Sequence, residues 1–266
     1  MPLKRIGAVG LLLAASLAAP VAAQDGRVTL TDVGAGVTYN FANDAYGSVY
    51  IGHYGFSFVQ GPYGAYSSLP GLSGHFDAWC VDFDNHVGLN NVWDVNLTRL
   101  IEPSLTQTRL GATTANGGEG FSFTDALLRY RKAAWLTTQF ALYANASATT
   151  RANAWGAIHA AIWAITNADD PQPTTVAGMT GVNTRQYWID QANMAGNYAT
   201  VDLSQYTVMT TTSMVNNPKQ EFLLRTVVTP EPATMLLMGS GLIGMVVAGG
   251  RRRKKNVDPE SGDHRA

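Results

Sequence analysis

Residues 92–97 read Val92-Trp93-Asp94-Val95-Asn96-Leu97. From Trp93 onward, apolar and polar side chains alternate. Side chains along a β-strand point to opposite faces in turn, so Trp93, Val95 and Leu97 fall on one face and Asp94 and Asn96 on the other. The same period, broken by Gly and Pro, recurs through the chain up to about Ile101: Val28-Thr29-Leu30, Val37-Thr38-Tyr39-Asn40-Phe41, Ser48-Val49-Tyr50-Ile51 and Tyr54-Gly55-Phe56-Ser57-Phe58. These predict short strands joined by tight turns.

Past Ile101 the pattern changes. Ser104–Phe123 is rich in Thr and Gly and reads as an exposed, mobile loop. Helical spacing then takes over. Thr124-Asp125 is the expected N-terminal cap of a helix running to about Asn145, with Leu128, Trp135, Gln139 and Leu142 on one face. A second helix is expected from about Ala152 to Thr166, with Trp155, Ile158, Ile162 and Ile165 in one stripe, and a shorter one over Thr184–Ala195. Strand character returns at Gln205–Met209 and Glu221–Val228. Strands, then helices, then strands predict one α+β domain over residues 24–228, a β-rich sandwich or barrel-like body with an insert of two to three helices.

Of the 266 residues, 46% are apolar and only 14% charged, against roughly 25% charged in an ordinary soluble domain. That much apolar side chain excludes a disordered chain. The net charge of -1 conceals an uneven distribution, since residues 24–229 hold ten Lys and Arg against fifteen Asp and Glu. A mildly acidic body without a basic stretch argues against nucleic acid as a partner. One cysteine excludes an internal disulfide framework.

The two ends carry the targeting information. Residues 1–23 combine Lys4 and Arg5, a short apolar run and Val21-Ala22-Ala23, the pattern of a secretory signal peptide that engages the secretion translocon. At the other end, Pro230-Glu231-Pro232 breaks regular structure, residues 233–250 are uncharged and largely apolar, and Arg251-Arg252-Arg253-Lys254-Lys255 follows at once. Eighteen helical residues span about 27 Å, close to the minimum for a transmembrane helix. The five cations are expected to stop transfer and stay cytoplasmic, with residues 256–266 as a cytoplasmic tail. This ending, residues 229–255, resembles the PEP-CTERM sorting segment of Gram-negative bacteria that make extracellular polysaccharide. The resemblance implies an exosortase as partner, an inner-membrane intermediate, processing near Pro230-Glu231-Pro232, and a final place at the cell surface or in the exopolysaccharide or biofilm matrix. These residues are substrate for another enzyme and catalyse nothing themselves.

Ala78-Trp79-Cys80-Val81-Asp82-Phe83 reads as a strand with Trp79, Val81 and Phe83 on one face and Cys80 and Asp82 on the other. With Ala134-Trp135-Leu136 and Ala160-Ala161-Ile162-Trp163, it resembles the thioester domains of bacterial surface adhesins, in which a cysteine and a glutamine form an internal thioester. Cys80 matches the cysteine, but His159 stands where the glutamine belongs, and Gln139 lies in a different segment. Cys80 with His159 as base, oriented by Asp82 or Asn85, offers the alternative of a cysteine hydrolase. The bland reading is a buried apolar cysteine and a packed histidine. Asp82-Phe83-Asp84-Asn85 opens like a calcium loop, but Trp93 occupies the position of the bidentate glutamate. Tyr54, Tyr63 and Tyr66 are candidate exposed platforms for sugar rings. The expectation is therefore a secreted, surface-sorted, non-enzymatic matrix protein without metal or cofactor. A covalent adhesin or cysteine hydrolase acting through Cys80 is the alternative.

Overall fold

The alternating segments close into a barrel. The structure, a computed structural model, describes residues 24–34, 36–42, 47–67, 72, 74–167, 174–216 and 218–226. Strands β1 (Gly26–Asp32), β4 (His53–Gln60), β5 (His75–Cys80), β8 (Phe222–Arg225), β7 (Tyr206–Thr211) and β6 (Val92–Arg99) are neighbours in that order, and β6 returns to β1. Each of the six pairings is antiparallel. The two short strands β2 (Thr38–Asn40) and β3 (Ser48–Tyr50) form a separate hairpin ladder.

Register shows which face is inside. Val28 pairs with Phe58 and Trp93, Leu30 with Phe56, and Phe56 with Phe76. Ala78 pairs with Leu224, and Phe222 with both Cys80 and Met209, which in turn pairs with Leu97. Residues directly opposite one another share a face, so one apolar surface runs around the whole wall and fills the barrel. The Phe56 ring meets Phe222 at 4.7 Å and Trp93 at 6.0 Å, both edge to face. The outer face of β7 and β8 is apolar too. Val208 and Leu223 pair across it and are fully buried under the helices.

Those helices are α1 (Phe123–Gln139), α2 (Ala148–Thr166), α3 (Arg185–Asn193) and the single turn α4 (Ala195–Tyr198), all inserted between β6 and β7. The cap of α1 is Ser122, not Thr124: its hydroxyl oxygen accepts from the Asp125 amide, as a cap needs. The α-helix ends at Gln139 and continues as a 3-10 turn over Phe140–Tyr143, short of Asn145. Helix α2 starts earlier than expected, because Ser147 caps it. Every residue from Ala154 to Trp163 is buried, so α2 is a central helix covered on all sides, not one with a single apolar stripe. Gly156 allows this, since a Cβ there would stand 2.5 Å from the Tyr39 ring of the hairpin.

Three further expectations change. The strand at Cys80 stops there, and Val81 and Asp82 are both fully buried, so the two-face alternation does not continue to Phe83. Ser104–Phe123 is not wholly exposed: Leu105, Thr108, Arg109, Leu110 and Ala112 are buried. Tyr54 and Tyr66 are also buried, which leaves only Tyr63 of the three tyrosines at the surface. Among the described residues, no helix is long and apolar enough to cross a membrane. The signal peptide, the apolar segment 233–250 and the basic block lie outside the described residues.

The barrel has two distinct ends. Strand β1 enters beside the Val95–Arg99 half of β6, where the Asp25 carboxylate accepts from the Leu97 amide. Arg225, the last residue of β8, pairs with Tyr206 at the start of β7, and Tyr206 accepts from the Leu100 amide. The first strand therefore begins, and the last strand ends, at the same end.

Candidate functional site

The exit of β5, the Thr/Gly-rich segment, α1, the C-terminal end of α2 and the start of β8 converge on one buried polar cluster. Arg109 is at its centre, 6% exposed. Its Nη2 donates to the Thr166 carbonyl and to Asn167 Oδ1, both at 2.8 Å, and its Nη1 donates to Glu119. Its Nε lies 3.7 Å from Asp82 Oδ2. The Arg109 backbone amide donates to Glu221 Oε2 at 2.7 Å, and the same carboxylate accepts from Thr210 and Tyr130. Asp82 in turn accepts from the Asp84 amide and from Asn85 Nδ2. The Asp82-Asn85 turn is thus folded inward onto a cation that belongs to the protein.

Electrostatics follow from this enclosure. Burial by itself would lower the Arg109 pKa, but the charges of Asp82, Glu221 and Glu119 outweigh it and hold the guanidinium protonated. Burial raises the Glu221 carboxyl, against the pull of Arg109 and its hydrogen bonds. The cluster's hydrogen bonds join separate segments. Its chemistry is that of a structural staple.

Cys80 lies beside this cluster, fully buried. Its thiol donates to the Asp82 carbonyl at 3.0 Å. Burial first, and the Asp82 charge second, push the thiol up to about 12, with the nearby Trp163 indole acting weakly in the opposite sense. A thiolate is the reactive form of cysteine, and this environment suppresses it. His159 stacks on Trp163 at 4.7 Å with a 5° interplanar angle, and Phe140 meets it edge-on at 5.1 Å. Its Nδ1 accepts from the Gly52 amide at 3.1 Å, which places the proton on Nε2. Desolvation lowers His159 to about 3, so the ring is neutral. Gly52 is required for that bond: its φ is +99°, and a Cβ there would stand 2.8 Å from the Trp155 ring.

Cys80 and His159 are therefore both placed against Trp163, yet neither is the other's hydrogen-bond partner. Gln139 is elsewhere, at the end of α1, where its amide donates to the Trp135 carbonyl and to Thr138 Oγ1. Arg109 and Glu221 were not legible as site residues. The available signal was a lone cation among Thr and Gly, in a body with few charges to spare.

Past Arg225, Thr226 closes the described body by donating from its amide to the Gln205 carbonyl at 2.7 Å. Residues 228–254 match the family model described as the PEP-CTERM protein-sorting motif. That segment marks an exosortase substrate, an exported protein with a surface or extracellular fate. No curated protein and no solved structure matches the chain. Pro230, Glu231 and Pro232 and the block Arg251–Lys255 fall within this matched segment or at its edge, outside the described residues.

Proposed function

We propose that this is a non-enzymatic protein of the extracellular matrix, exported, cut by an exosortase near Pro230-Glu231-Pro232 and retained at the cell surface or in exopolysaccharide. The observation that carries the reading is the sorting motif, which begins at residue 228, three residues after the last barrel strand ends at Arg225. Three residues reach about 10 Å at most. Only residues 226 and 227 separate the last barrel strand from the matched segment.

A covalent adhesin or hydrolase acting through Cys80 is the weaker reading. The thiol is buried and protonated, His159 holds no free lone pair toward it, and the Gln139 amide is engaged on its own helix. The intact mass of the mature protein tests both readings. Sorting predicts a chain that ends near residue 230 and lacks the basic block. The non-covalent reading predicts no deficit of about 17 Da, the ammonia lost when a thiol and a glutamine form a thioester. A full-length C-terminus contradicts sorting, and a 17 Da deficit contradicts the non-covalent reading.

A further inference from the structure

Among the described residues, the barrel end opposite its termini is open. A cleft of about 440 Å³ lies there, with Leu30 and Tyr54 of the barrel, Phe83 and Leu89 of the following turn, Tyr50 of the hairpin and Trp163 of α2 in its wall. This volume falls within the range of small-molecule sites, which are concave, mostly apolar and supplied with few polar groups. No Asp, Glu, Lys or Arg is among the described residues of the wall. The polar side chains of the wall are those of Ser48, Tyr50, Tyr54, His86 and Gln220, and the Gln220 carboxamide nitrogen donates to the Asp82 carbonyl, which ties this wall to the Arg109 cluster. Trp163 and Phe83 meet at 4.8 Å and are packed as a fixed aromatic surface, while Tyr50 and Leu89 remain 43% and 50% exposed at the rim.

We propose that this cleft binds a small, uncharged, mainly apolar ring compound. The wall has no Asp, Glu, Lys or Arg among its described residues, and His86 is its one ionisable imidazole. That disfavours strongly charged ligands, because an ionised group would lose its hydration without a fixed counter-charge. Rings fit four aromatic side chains, which favour offset or edge-on contacts. Binding itself does not depend on processing.

Benzophenone, uncharged and apolar with two rings, is a direct probe because light attaches it to the side chains it contacts. The full chain in phosphatidylcholine nanodiscs is irradiated with it, and the adducts are mapped by peptide mass spectrometry. The proposal expects saturable labelling on peptides carrying Tyr50, Phe83 or Leu89, at least tenfold reduced by excess naphthalene. Leu89→Asp and Tyr50→Ala alter exposed rim positions and are expected to reduce cleft labelling at least fivefold with an unchanged urea midpoint. Labelling confined to residues 233–250, or spread without saturation, overturns the proposal. Protection of the cleft by cellohexaose but not by naphthalene also overturns it and assigns the cleft to carbohydrate.

Discussion

Arg109 is the residue on which most of the body converges. Removing one partner of a buried ionic cluster leaves the others uncompensated, at a cost of about 3–5 kcal/mol. Arg109→Leu is therefore expected to lose about that much stability in urea unfolding, through the stranded carboxylates of Asp82 and Glu221. A loss below 1 kcal/mol would show that the cluster is dispensable. His159 gives a second prediction, in pH. Its pKa is lowered in the folded state, from 6.5 to about 3, so protons bind the unfolded chain more readily. Its contribution is complete above pH 6.5 and is lost as the pH falls toward 3. From pH 7 to pH 5 the wild type should lose about 2 kcal/mol more than His159→Gln, which keeps an acceptor for the Gly52 amide but does not titrate. Parallel curves for the two proteins would contradict a neutral buried imidazole.

Among the elements, the segment between β6 and α1 departs furthest from its sequence. A run such as Gly111-Ala112-Thr113-Thr114-Ala115-Asn116-Gly117-Gly118 has the composition of a mobile loop. It is held by long-range bonds instead: Phe121 donates to Leu110, Glu119 to Arg109 and Gly120 to Ala112. Hydrogen exchange measured by NMR is expected to find the Arg109, Glu119 and Phe121 amides protected, with Ala115 exchanging much faster. Uniformly fast exchange would mean the segment is detached. The strands and helices were legible because their signals are local: alternation for β1, β4 and β6, and helical spacing for α1, whose cap nevertheless falls at Ser122. Closure of the barrel was not, because it depends on pairings such as Cys80 with Phe222, which no local pattern records. The cleft was hidden for the same reason, as its wall comes from separate segments. The buried cysteine was half legible. Bulky neighbours announced its packing, but only the fold reveals that its thiol bonds to Asp82 and that Gln139 points its amide elsewhere.

At the scale of the molecule, the barrel has one end where the described body begins and ends and another that bears the cleft. The six strands bring the start of β1 and the finish of β8 together, and the sorting motif follows within three residues. The motif itself was the most legible feature of the chain, because its three parts are contiguous and ordered in the sequence. A nearly neutral composition concealed the division into an acidic body and a basic C-terminal block. The account depends on that division. Replacing Pro230, Glu231 and Pro232 together by alanine, with the barrel untouched, is its most direct test. Immunoblots of fractionated cells should show full-length precursor accumulating in the inner membrane and the mature form missing from the surface and medium. Normal amounts of correctly sized mature protein from that variant would contradict the account.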